Sequence, residues 1–244
     1  MTDYQIVYLL CIPLIIAAEY RFGRRPVGEN RQDRWLTNLS LGFINEAVLL
    51  ASPVWLVLLL PTAETALLPS VWGALLAFVL LDLTLYWVHR GYHGVGLLWR
   101  LHRVHHSDLD LDFTTSFRHH PGEIIATLVV IYALMAGFGF SPLQVAPYLV
   151  AARLVQLLAH ANLQLGAGID TFIQALVVTP DVHQVHHSTH QPETDSNYGE
   201  VLTVWDRLFG TYTPPTSVPA QIGLKEFREP QDQGIVALLT LPLK

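Results

Sequence analysis

The chain has 244 residues, of which 51% are hydrophobic and only 14% charged, and this balance points to a membrane protein. A formal net charge of −6 argues against a general nucleic-acid binder, which would be basic. The single cysteine, Cys11, sits in an apolar run, which rules out a disulfide framework and a thiolate metal site and leaves it a small buried hydrophobe.

Taken in order, Tyr4 to Tyr20 forms the first candidate span; no basic residue precedes it, so it is expected to be retained and not cleaved as a signal peptide. Arg21, Arg24, Arg25, Arg31 and Arg34 crowd the following loop, a positive-inside signal that places the loop in the cytoplasm. Leu36 to Leu60 is the second span, with Asn38, Asn45 and Glu46 expected to face protein or the interface. Residues 61–70 carry no Lys or Arg, as expected outside. Val71 to Val88 is the cleanest span and delivers His89 to the inner interface, with Trp72, Tyr86 and Trp87 in the aromatic belts. Asp82 lies seven residues before His89 on the same helical face; a neighbouring helix could satisfy it, or it could orient a liganding imidazole.

Residues 107–123 are polar and read as a cytoplasmic connection. Ile124 to Phe140 and Leu143 to Ala159 are apolar halves joined by G-F-S-P, either two crossings or a re-entrant hairpin, and either version returns His160 to the cytoplasmic side. Arg153, costly against lipid, is expected to face the protein interior or the site. From residue 161 turn residues multiply and suggest a soluble cap, and the last segment, too short to span, suits the interface. The expected fold is therefore all-α integral membrane: four to five transmembrane or re-entrant helices with a cytoplasmic helical cap carrying a His-rich dimetal site. The expected organisation is N-terminal spans over 1–70, a catalytic domain over 71–215 and a tail over 216–244.

All twelve histidines fall between positions 89 and 190. His89 and His93 stand four apart, and His102, His105 and His106 repeat the HxxHH spacing of His183, His186 and His187. On a helix such residues share a face. Neutral imidazole suits zinc, copper, iron and nickel, and one zinc takes only three or four protein ligands, so at least eight histidines at ligand spacing fit two ions better than one. Zinc proteases need a glutamate after the first histidine, where this chain has Arg90 and Gln184. The E-x-x-H pattern of soluble di-iron bundles and the G-x-S-x-G elbow are absent too. A metal transporter, the competitor from outside the enzymes, would place its ligands near the bilayer midplane and not at the span ends.

The order HxxxH, HxxHH, HxxHH, with apolar hairpins between, resembles the fatty acid hydroxylase/sterol desaturase superfamily of integral-membrane non-haem di-iron oxygenases. The stretches D-L-T-L-Y-W-V-H-R at 82–90, F-R-H-H-P-G-E at 117–123, H-A-N at 160–162, T-P-D-V-H-Q-V-H-H-S at 179–188, N-Y-G at 197–199 and W-D-R-L-F-G-T at 205–211 carry the likeness, over roughly residues 75–215. The resemblance implies two irons held by His89, His93, His102, His105, His106, His160, His183, His186 and His187. His120 is a further candidate as ligand or support, while Asp82, Asn162 and Asn197 stand behind the ligands. His119 occupies a position where relatives usually carry an aromatic residue, and His190 matches no box; both are expected at the surface or behind the ligands. Asp181 and Gln184 depart from the basic residues often seen around the last box.

The implied reaction is reductive activation of O₂ and attack on an unactivated C–H bond of a lipid, ending in hydroxylation or desaturation, with a carotenoid hydroxylase or ether-lipid monooxygenase relative as the alternative. The chain has no dinucleotide fingerprint and no iron–sulfur spacing, so electrons are expected from an external reductase, ferredoxin or cytochrome. Phe113, Phe117, Trp99 and Trp205 are candidate pocket walls, although packing between cap and helices is the commoner role for each.

Overall fold

Where the chain carries an apolar run bounded by breakers, it forms a helix. The computed structural model describes residues 3–26, 28, 30–51, 70–216, 219 and 221–244. Its long helices are α1 (Asp3–Phe22), α2 (Arg31–Ala51), α3 (Ser70–Gly94), α4 (Gly96–His106), α5 (Pro121–Phe138) and α6 (Pro142–His160). Short helices follow: α7 (Ala167–Ile173), α8 (Pro180–His186), α9 (Gln191–Thr194), α10 (Val204–Phe209) and α11 (Ile235–Thr240). Among the described residues there is no extended strand, only two isolated bridges. Three of the helices, α3 from Val71, α5 and α6, are long and apolar enough to cross a membrane. Their outward faces keep Trp72, Leu75, Val79, Ile125, Val129, Leu143 and Leu149 exposed, an apolar belt that needs lipid to cover it. The end of the second candidate span, 52–60, and the outer loop at 61–69 lie outside the described residues.

The core sits along α3. Ala77, Leu81 and Leu85 pack against Ile131 and Met135 of α5 and Val145 and Tyr148 of α6. Gly73 lets α3 and α6 close up, because a Cβ there would stand 1.8 Å from Gln144 Nε2. The G-F-S-P breaker forms a tight turn between two full-length helices: Gly139 ends α5 at φ 68°, and Gln144 Oε1 accepts from the Ser141 amide (2.9 Å) to start α6. Past Val88, where the sequence reading ended the third span, α3 continues for a further turn and a half, so His89 and His93 share one helix face.

Two expectations change. The arginine-rich stretch is not one short loop: Arg31 and Arg34 lie within α2, and four of its arginines are committed to protein partners. Arg24 pairs with Asp181, Arg25 donates to Pro219 O (2.8 Å), Arg31 to Glu19 (3.2 Å), and Arg34 to Asp108 and Asp112 (2.7 Å each). Nor is the polar connection at 107–123 a solvated loop. Asp108 and Arg118 are fully buried, and a 3₁₀ turn at Phe113–Phe117 packs against α2 and α6. Charges can be buried there because each is satisfied. Asp108 accepts from Arg34 Nε (2.7 Å), Asn38 Nδ2 (2.9 Å) and Thr115 Oγ1 (2.8 Å). Arg118 donates to Val104 O, Asn38 Oδ1, Ser107 Oγ and Gln233 Oε1. Burial alone would push the Asp108 carboxyl up, but Arg34 and Arg118 outweigh it and hold it below the usual carboxylate range.

Asn38 and Asn45 are buried, as the sequence suggests, whereas Glu46 is exposed and pairs with Arg153 (3.5 Å) beside a cavity between α2 and α6. In the C-terminal segment Leu238 and Leu241 are buried against Leu41 and Val104, leaving Val236 and Leu243 exposed.

Removing one partner from a buried charge network leaves the others uncompensated, at about 3–5 kcal/mol. Arg118→Ala is therefore expected to cost about that much, measured as a large drop in detergent-solubilised unfolding temperature, while the exposed Arg100→Ala stays near wild type.

Candidate metal centre

Helical periodicity brings the histidines together from four elements. Val95 breaks the chain between α3 and α4, so α4 folds back and sets its histidines against His89 and His93. In each HxxHH box the two residues four apart fall in one group and the histidine between them in the other, so each box splits in two. His102 and His106 of α4 join His89, His93 and His186; His105 joins His160, His183 and His187. Within each group the candidate ligand atoms lie within 4.8 Å of one another, and the nine residues are those the histidine boxes and His160 nominate. The two groups abut, with the His106 and His187 rings stacked at 4.5 Å.

Five of these imidazoles are held from behind. His89 Nδ1 donates to Tyr198 O (3.0 Å), His186 Nδ1 to Ser196 O (2.7 Å) and His160 Nδ1 to Gln156 O (2.7 Å). His102 Nδ1 meets Glu123 Oε1 (2.8 Å) and His93 Nδ1 meets Asp195 Oδ1 (3.2 Å). Each such bond puts the proton on Nδ1 and leaves Nε2 a bare lone pair, the arrangement in which metal-binding histidines are held. His89, His93 and His186 Nε2 are buried with no partner. In the second group Nε2 atoms face each other: His105 to His160 at 3.0 Å, His160 to His183 at 2.9 Å, His183 to His187 at 3.2 Å. Nitrogens about 2.1 Å from a common ion and at right angles to one another stand about 3.0 Å apart. Burial, and then the neighbouring imidazoles, push His105, His106, His183, His186 and His187 well below the usual histidine range, which keeps them neutral. The residues thus fit transition-metal ions, and the two groups, nine histidines in all, contain no thiolate or carboxylate.

Residues 195–211 supply much of this support. Asn197, at φ 55°, turns the chain so that the carbonyls on either side of it reach His186 and His89. Its side chain is pinned by Val182 O, Thr213 O and the Thr213 amide. Asp206 accepts from the Tyr198 and Gly199 amides (2.7 and 2.8 Å), and Gly199 is required because a Cβ would stand 2.6 Å from Leu202 O.

A family model described as fatty acid hydroxylase matches residues 74–211. The chain belongs to the fatty acid hydroxylase family. Among the relatives of this family member, alkylglycerol monooxygenase of Homo sapiens is 33% identical over 143 residues, 59% of this chain and 31% of the relative. An ornithine lipid hydroxylase of Rhizobium tropici is 32% identical over 162 residues, 64% of this chain and 46% of the relative. A Delta(7)-sterol 5(6)-desaturase of Aspergillus fumigatus is 28% identical over 134 residues, 55% of this chain and 37% of the relative. The chain spans about a third to a half of the length of these curated relatives. No solved structure matches.

Several supporting roles are corrected in this fatty acid hydroxylase family member. His120 belongs to neither group; its Nδ1 accepts from the Gly122 amide (3.0 Å) and caps α5, and Nε2 lies 3.2 Å from Leu239 O. Asp82 orients no imidazole: it accepts from the Val201 and Leu202 amides and from Trp205 Nε1, locking 201–205 onto α3. Asn162 bonds to Arg25 and Glu19, tying α1 to the end of α6. Asn197 does stand behind the ligands, through its backbone neighbours. Trp205 and Phe113 pack, Trp99 lies beside His93 and His106, and neither these nor Phe117 lines the cavity. His190 is exposed.

Sequence reading passed over Glu123 and Asp195, although the spacing His119-x-x-x-Glu123 was a visible signal. It could not find the carbonyls of Gln156, Ser196 and Tyr198, because any residue type carries them.

His120→Asn, which retains a capping acceptor, is expected to keep wild-type metal content by mass spectrometry. Asn197→Ala loses the support of His186 and His89 and is expected to lower it by about tenfold in affinity or more.

Proposed function

We propose that this protein is a membrane-bound di-iron oxygenase that hydroxylates or desaturates a lipid with O₂ and electrons from an external reductase, ferredoxin or cytochrome. The observation that carries the reading is the meeting of the two histidine groups with an apolar cavity of about 720 Å³. The cavity runs beside α6 from Pro142 to His160, past Leu85, Leu128, Ile131 and Met135, and reaches His89, His102, His105, His160 and His183. Its lining residues on α6 run over eighteen helix steps, about 27 Å at ~1.5 Å per residue, a span comparable with an extended acyl chain. The nine histidines would hold one iron in each group, with Glu123 and Asp195 fixing His102 and His93. When bound, the irons would supply the activation of O₂ and the cleavage of an unactivated C–H bond. The chain's own part is to hold the imidazoles neutral and aimed inward, to line up an aliphatic chain beside them and to exclude water with apolar walls. The relatives named for alkylglycerols, ornithine lipids and sterols support a lipid substrate.

The same reading makes the chain multi-pass, with the histidine-bearing ends of α3–α6 on the cytoplasmic side. A transport role without redox chemistry is disfavoured because the histidines gather at the span ends, under residues 161–211, and not midway along α3, α5 and α6.

Protein from iron-supplied cells is expected to carry about two irons per chain, one per histidine group. His105→Ala and His186→Ala, one from each group, are each expected to lose iron and abolish ¹⁸O incorporation from ¹⁸O₂ into membrane lipids. Retention of full metal and activity in either variant would end the assignment.

A further inference from the structure

One imidazole outside both histidine groups stacks on one of them and shares a carboxylate with the other. His119 stacks on His105 with ring centroids 4.3 Å apart and planes 10° from parallel. Its Nδ1 lies 3.0 Å from Glu123 Oε1, the same oxygen that takes His102 Nδ1 at 2.8 Å. Its backbone carbonyl accepts from Asn45 Nδ2 (2.9 Å). The ring is held at its face, one nitrogen and its backbone, its side chain is only 14% exposed, and it lines the cavity. Because Nδ1 donates to the Glu123 carboxylate, Nε2 carries the lone pair. Among the described residues no group bonds it, and it is not sealed in the interior.

Of the neighbouring polar groups of the cavity, Glu123 Oε2 and Tyr148 Oη have no partner among the described residues but are shut off from its surface, and others are already engaged. Tyr92 Oη and Thr127 Oγ1 bond each other (2.8 Å), and Glu200 Oε2 accepts from Gln156 Nε2 (2.9 Å). Glu46 and Arg153 pair with each other further along α6. An aliphatic chain in this cavity therefore meets a fixed hydrogen-bond acceptor beside both histidine groups.

We infer that His119 is a substrate-contacting residue that selects a lipid bearing a hydroxyl group near the carbon to be oxidised, by accepting its O–H at Nε2. The inference rests on the oxygenase reading above. It makes a hydroxyl-bearing amphiphile a better ligand than the same chain with an ether oxygen, which has no proton to give.

The test uses the full chain in nanodiscs, with binding of radiolabelled 1-hexadecanol and 1-methoxyhexadecane corrected for empty nanodiscs, and metal content measured on the same samples. Wild type is expected to prefer the alcohol about five- to tenfold, the effect of one net hydrogen bond. His119→Phe keeps a flat ring over His105 but has no nitrogen; it is expected to lose that preference with metal content unchanged. His119→Gln, which returns an acceptor, is expected to recover part of it. Equal binding of the two probes by wild type, binding of neither, or an unchanged preference in His119→Phe would overturn the inference while leaving the oxygenase reading intact. Loss of metal in His119→Phe would overturn it too, making His119 a ligand. Wild-type protein that carries no metal would instead defeat the reading beneath it.

Discussion

The structure depends on keeping nine imidazoles together in one buried volume with bare nitrogens facing one another. Each buried polar atom without a partner costs about 1–3 kcal/mol, and lone pairs about 3 Å apart repel. Such an arrangement persists only if the rings are held from outside and their inner nitrogens have something to bind. The outward bonds of His89, His93, His102, His160 and His186 provide the first condition. Metal ligation, which contributes on the order of 10 kcal/mol in small zinc domains, has the magnitude to meet the second.

The supports come largely from outside the membrane-length helices. The 195–211 segment delivers two carbonyls and one carboxylate to the first group, and it is itself fastened by Asp82 of α3 and by Asp206. The buried network of Arg34, Asn38, Asp108 and Arg118 holds the end of α4 against α2, so that His105 and His106 do not splay. Carboxylates and guanidinium groups that look like surface charge in the sequence thus serve as struts, and the arginines of the α1–α2 connection do the same for residues 181 and 219.

The two histidine groups are not held alike. In the first, four of five rings have an outward acceptor. In the second only His160 has one, while His105, His183 and His187 leave Nδ1 buried without a partner. The second group also borders the cavity more fully, through His105, His160 and His183. The first group is the more rigidly built, and the second stands closer to whatever enters along α6.

By itself the sequence determined the helical class, the membrane-length apolar runs of α3, α5 and α6, the turn at G-F-S-P and the nine histidines that gather. These are local matters: spacing along a helix decides which side chains share a face, and a proline or glycine decides where a helix stops. Only the tertiary structure decided how each HxxHH box is divided between the two groups, because that depends on how α4 and α8 pack against their neighbours. It also exchanged the roles of His119 and His120. The two are adjacent in sequence, yet the helix start at Pro121 takes His120 for its cap, and the turn before it aims His119 at His105 and the cavity. Asp82 and Asn162 followed the same rule: their hydrogen-bond partners lie over a hundred residues away, where no periodicity can point.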